Sequence, residues 1–108
     1  MNAILNGNFT LSQTLATIQR SEAFGFVLTA LSQADEKLQV DNSDVPANYA
    51  TFSPGPAPPK DLDLVEVTDV AGLSGLLSTR SAGGWGLVAF ATIFAEGKPV
   101  SVAAFRHV

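Results

Sequence analysis

Apolar positions along the chain change period several times, and each change marks an element. Leu11, Leu15 and Ile18 recur at helical spacing, with Gln13, Thr17, Gln19 and Arg20 largely off that face. Thr10 followed by Gln13 has the Ser/Thr-x-x-Gln form of a capping box, in which hydroxyl and amide each satisfy a free backbone N–H. The spacing therefore predicts a helix beginning near Leu11. Before it, Ile4 and Leu5 ahead of Asn6-Gly-Asn8 read as a brief edge strand from Asn2 to Leu5 that ends in a turn. From Phe24 the run Phe-Gly-Phe-Val-Leu-Thr-Ala-Leu is apolar on both alternations, the pattern of a strand covered on two faces. Ala34-Asp-Glu-Lys37 reads as a turn and Leu38-Gln-Val40 as a short return strand.

Asp41 to Lys60 has no period and holds the run Ser53-Pro-Gly-Pro-Ala-Pro-Pro59, whose prolines remove amide donors and favour extended backbone. This segment is expected to be an irregular surface connection. Asp61 to Val67 resumes a strand pattern that Val65 interrupts, marking a bulge or a strand buried on both faces. Thr68 or Asp69 is placed to cap a second helix with apolar Leu73, Leu76 and Leu77. Gly72 and Gly75 within it suggest close packing on a sheet or a frayed first turn. Gly83-Gly84 reads as its C-cap. Trp85 to Phe94 is apolar on both alternations, and Ala95-Glu-Gly-Lys-Pro99 turns the chain into a closing strand, Val100 to Arg106.

Placing Phe24 over Trp85 aligns Leu15 with Leu76, Gly25 with Gly86, Phe26 with Leu87, Val27 with Val88 and Lys37 with Lys98. Residues 1–40 and 61–108 thus resemble two strand-helix-strand-strand units joined by the proline-rich loop 41–60 within a single domain. The fold class expected is α+β: one antiparallel sheet of about five strands with two helices on one face. Two helices leave the other face of such a sheet open. A symmetric homodimer that buries it, with Phe90, Phe94 and Phe105 as candidate interface residues, is the expected solution.

Composition narrows the functions. At 108 residues and 46% apolar content the chain is long enough for one core without staples. The absence of cysteine removes disulfides, thiolate metal sites and a thiol nucleophile. Ten acidic residues against six scattered basic ones give a net charge of −4 and no basic stripe, which argues against a nucleic-acid partner. The N-terminus has neither a basic region nor a sustained apolar core of a signal peptide, and the run Trp85 to Phe94 is too short to span a bilayer. A soluble cytoplasmic protein without a membrane partner is the resulting expectation.

Candidate chemistry is sparse. His107, the only histidine, has no serine or carboxylate placed beside it by any motif, and catalysis requires such partners. Asp61, Asp63, Glu66 and Asp69 could gather a hard cation, but they fit no EF-hand loop and alternation divides Asp61 and Asp63 from Glu66. Gly83-Gly84-Trp85-Gly86 leads from helix to strand, the reverse of a phosphate loop. Arg80, Trp85, Arg106 and His107 form the candidate site for a small anion or aromatic ligand, against the alternative that Trp85 is a core residue and the arginines are element-end charges.

The second unit also resembles a family of small bacterial domains of uncharacterised function. Their signature is a helix, then Gly-Trp-Glu-Leu-Val, then a closing strand ending in Phe-x-Arg. The matching residues are Gly84-Trp85-Gly86-Leu87-Val88 and Phe105-Arg106-His107, with glycine at Gly86 where the family has glutamate. That resemblance implies a strand-helix-strand-strand fold and supplies no activity. The sequence therefore points to a non-catalytic assembly domain without cofactor or metal, the second choice being a small-molecule-binding module.

Overall fold

The structure, a computed structural model, describes residues 1–57 and 59–108. Pro58, inside the proline run, lies outside the described residues. In chain order the elements are β1 (Asn2–Asn6), α1 (Leu11–Glu22), β2 (Phe26–Gln33), β3 (Leu38–Val40), β4 (Ser43–Val45), β5 (Ala47–Pro54), β6 (Leu62–Glu66), α2 (Val70–Ala82), β7 (Trp85–Ala95) and β8 (Lys98–His107). The protein is α+β and its strand pairings are antiparallel. In place of one five-stranded sheet there are three, ordered β1-β5-β2, β3-β4 and β6-β8-β7. No helix among the described residues is long and apolar enough to cross a membrane.

The first helix forms as its sequence dictates. Thr10 Oγ1 accepts from Gln13 N–H at 3.2 Å, and Gln13 Oε1 accepts from Thr10 N–H at 2.9 Å. Its inward stripe contains Leu11, Thr14, Leu15, Ile18 and Glu22, with Thr14, Ile18 and Glu22 buried. The strand after it begins at Phe26, not at Phe24, which is left exposed past the helix end.

The expected loop 41–60 is largely strand. Asp41 and Asn42 both take positive φ (50° and 64°), the pairing a two-residue type I′ turn requires, and so close the hairpin β3-β4. Leu38–Val40 consequently pairs with β4. The strand that returns along β2 is β5, which also pairs with β1 and forms the middle of its sheet. Leu5, Leu28, Leu31, Ala50 and Phe52 on one face of this sheet are buried, while Asn2, Ile4, Thr51 and Ser53 point the other way. Glu96 (φ 53°) and Gly97 (φ 76°) make the corresponding turn between β7 and β8.

In both three-stranded sheets the last strand of the unit lies between the two that flank a helix. Each edge strand after the helix also carries a bulge, at Leu28/Ala30 and at Leu87/Ala89. By this feature Leu28, rather than Phe26, is the positional equivalent of Leu87.

The helices do not share a face. Along β8, Val102 and Ala104 pack into the main core with Ile18, Leu62, Leu64 and Ile93, whereas Ala103 and Phe105 pack with Leu73, Leu76 and Trp85. Alternate residues of one strand point to opposite faces, so α1 and α2 lie on opposite sides of β6-β8-β7. The strand apolar and buried on both alternations is therefore β8, with Val102, Ala103, Ala104 and Phe105 each at 1% exposure or less.

The two large sheets are stitched by Asn48. This fully buried side chain accepts from Phe94 N–H at 2.7 Å and donates to Phe94 O at 2.8 Å, serving β7 as a neighbouring strand would. Nearby, Gly7 N–H donates to Pro46 O at 2.7 Å. A Cβ on Gly7 would stand 2.5 Å from that oxygen and 2.8 Å from Phe94 Cβ, so only glycine permits this approach. Asn48→Leu leaves both Phe94 backbone groups unsatisfied, and the urea unfolding midpoint should fall by the equivalent of about 1–3 kcal/mol. An unchanged midpoint would show that the stitch is dispensable.

Candidate functional site

The four residues singled out as a ligand site separate into two places. Arg80, in the last turn of α2, lies with its guanidinium carbon 5.3 Å from the Trp85 ring centroid and 5.5 Å from that of Phe105. Its Nη2 donates to Asp63 Oδ2 of β6 at 2.7 Å. The guanidinium is thus held between two aromatic rings and neutralised by a carboxylate, an arrangement that fastens α2 to the sheet. Trp85 packs edge-on to His107, centroids 5.2 Å apart and planes at 87°. His107 is exposed at the end of β8, where its backbone N–H donates to Asp61 O at 2.9 Å.

Arg106 is not part of this group. Residues 105 and 107 of β8 point toward α2, and 106 points away, toward α1. There it forms an ion pair with Glu22, whose side chain is only 4% exposed, against 16% for Arg106. Nη2 bonds Glu22 Oε2, and Nη1 donates to Glu22 Oε1 at 3.3 Å and to Lys60 O at 2.5 Å. Glu22 Oε2 also accepts from Leu28 N–H at 2.9 Å. Arg106 Nε is buried without a hydrogen-bond partner among the described residues. A cleft of about 180 Å³ opens beside the pair, lined by Gln19, Glu22, Ala23, Pro59, Lys60 and Asp61 among others. Glu22 carries no motif, yet its position is legible: it continues the apolar stripe one turn beyond Ile18, where a charged residue needs a buried counterion.

The acidic group of β6 and its surroundings is dispersed. Asp63 holds Arg80, and Asp69 caps α2 by accepting from Gly72 N–H at 2.6 Å. Glu66 lies on the opposite face of β6 from Asp63. Among the described residues no cluster of three or more His, Asp and Glu side chains is placed to hold a metal ion.

Of the three candidate interface aromatics, Phe105 is withdrawn: at 1% exposure it is a core residue beneath Arg80. Phe94 is half-buried against Gly7 and lines a cleft of about 440 Å³ with Ala34, Asp35, Glu36, Lys37 and Pro46. Phe90 alone stands open, at 49% exposure on the α2 side of β7. It has company there that the sequence did not mark as interface. Val70 is 84% exposed, Leu87 44% and Leu77 38%. None of the 13 residues of α2 is buried, whereas α1 buries three. Gly75 faces open space, so the glycines of α2 do not mark close packing on the sheet.

The Tyr49 phenol is displaced from its ordinary value. Tyr49 OH donates to Glu36 Oε1 at 2.9 Å, and this bond, followed by burial and the charges of Glu36 and Asp35, raises the phenol above the ordinary value near 10. A raised value means that the neutral phenol is favoured in the folded state. That contribution is complete below the ordinary value and is lost as pH rises through the raised one. Tyr49 is the only tyrosine, so ultraviolet titration reads it alone. Its midpoint should lie above that of a free tyrosine and fall toward it in Glu36→Gln; equal midpoints in the two proteins would contradict the assignment.

The Glu22–Arg106 pair gives a second expectation. Glu22→Ala strands a buried guanidinium and should cost about 3–5 kcal/mol in chemical denaturation. The double variant Glu22→Leu/Arg106→Met should recover much of that loss, because removing both charges leaves neither uncompensated. A Glu22→Ala loss below about 1 kcal/mol, the range of exposed pairs, would contradict the buried assignment.

No protein-family model, no curated protein and no solved structure matches the chain.

Proposed function

We propose that the chain is a non-catalytic assembly domain that acts as a homo-oligomer, associating through the layer formed by α2 and β7. The observation that carries this reading is the absence of any buried residue in α2, together with the exposure of Val70, Leu77, Leu87 and Phe90 on the same side of the sheet. Exposed apolar side chains gathered on one side of a sheet, with Val70 and Phe90 lining one groove, mark interaction surfaces on small proteins. The four are uncharged, so two copies can bring them together without opposing the carboxylates that give the chain its net −4. A symmetric dimer is the simplest closed form. The shared strand-helix-strand-strand order of the two halves supports reading them as two copies of one unit, of which only the first buries residues of its helix.

The alternative, a module for an anion or aromatic ligand at Arg80 and Trp85, has less support, because Asp63 already neutralises Arg80 and Phe105 and Trp85 already cover it.

Sedimentation equilibrium should give a mass above that of one chain at micromolar concentration. Phe90→Glu should reduce it to one chain while leaving the circular dichroism spectrum and thermal midpoint near those of the parent. A parent protein that stays at 11.3 kDa across the accessible concentration range would contradict the proposal.

A further inference from the structure

A second exposed apolar feature lies away from the α2 layer. Phe24 follows Ala23, the C-cap of α1, and is 82% exposed. The corner that carries it is fixed. Phe24 N–H donates to Ser21 O and Gly25 N–H to Glu22 O, both at 3.1 Å, and Gly55 N–H donates to Gly25 O at 3.0 Å. Glu22 itself is locked by Arg106. The ring therefore projects from a rigid support, and its apolar surface stands in water.

A receptacle of matching character exists on the same chain. Val67, Val70, Leu73 and Phe90 wall a groove of about 210 Å³ between α2 and the sheet, with Asp69 at its rim. An apolar cavity of about 150 Å³ takes a benzene ring, so the groove is large enough for one phenylalanine side chain. The charges correspond as well. Arg20, four positions before Phe24, is exposed, and Lys60 and Asp61 line the cleft beside Ala23; with Glu22 neutralised by Arg106, the surroundings of the ring keep a positive balance. The groove's lining carries one carboxylate and no cation.

We propose that Phe24 of one copy seats in the Val67/Val70/Leu73/Phe90 groove of a second copy, with Arg20 facing Asp69. Projection and groove are both present in every chain, and each stands open among the described residues. A second copy supplies both without any further molecule. The assignment rests on the self-association reading above, and it makes the contact one of Phe24 with the groove rather than of the two α2 layers with each other.

Sedimentation velocity on the full chain tests it with two variants. Phe24→Ser alters an exposed ring and Phe90→Ser a half-exposed one, so circular dichroism should show both folded. Each alone should sediment as one chain, with pairing weakened about 10- to 100-fold. Mixed, they should regain a 1:1 pair, because Phe24→Ser keeps an intact groove and Phe90→Ser an intact projecting ring. A Phe24→Ser protein that associates as tightly as the parent overturns this assignment and leaves pairing through α2 standing. A mixture that stays monomeric while the parent associates also overturns it. A parent that is itself monomeric overturns both readings.

Discussion

Four segments of the chain meet at the Glu22–Arg106 ion pair, and their arrangement depends on it. Glu22 closes α1 and takes the Leu28 amide, which fixes how the helix turns into β2. Arg106, 84 positions later and next to the end of β8, binds that carboxylate and the Lys60 carbonyl, which fixes the entry to β6. Neither charge is tolerable alone at this depth. Replacing both by apolar groups need not be costly, whereas removing one is. What the pair matches is geometry: Arg106 lies on the face of β8 that turns toward α1, together with Val102 and Ala104.

That choice of face determines the rest. With Arg106 directed to α1, Val102 and Ala104 join the main core, and Ala103 and Phe105 are left for α2 to cover. The two helices then meet different conditions. α1 packs against strands of both large sheets and buries a polar threonine and a carboxylate as well as Ile18. α2 lies on the small residue Ala103 and on Phe105, held by the Arg80–Asp63 bridge and the stacking on Trp85, and contains two glycines that weaken a helix interior. With few buried contacts, the α2 layer is expected to open more readily than α1. Self-association is the reading that relieves this imbalance.

Much of the local structure is legible in the sequence, and the division into sheets is not. Thr10 and Gln13 announce the start of α1, Asp69 caps α2, and the turn at Glu96-Gly97 joins β7 to β8, because each is a short-range signal with its own chemistry. The strand β5 escapes because Pro46 and Pro54 bracket it and Asn48 interrupts its apolar face, although that asparagine is buried for a long-range purpose. The hairpin turn at Asp41-Asn42 lacks the glycine that usually marks one. Arg106 is grouped with Trp85 by its neighbour His107, yet strand alternation already separates them. Glu22 shows the converse: its place on the helical stripe predicts burial, but only the folded chain reveals the counterion. Exposure at Val70, Leu87 and Phe90 has no sequence signature, since the same residues would read identically in a sealed core.

Hydrogen exchange followed by mass spectrometry at two protein concentrations tests the central claim most directly. The account predicts that amides of α2 and of β7 near Phe90 exchange quickly in dilute solution and become protected as concentration rises, while those of α1 and β8 stay slow throughout. Protection of α2 equal to that of α1 and independent of concentration would contradict it, showing that the chain seals this layer without a second copy.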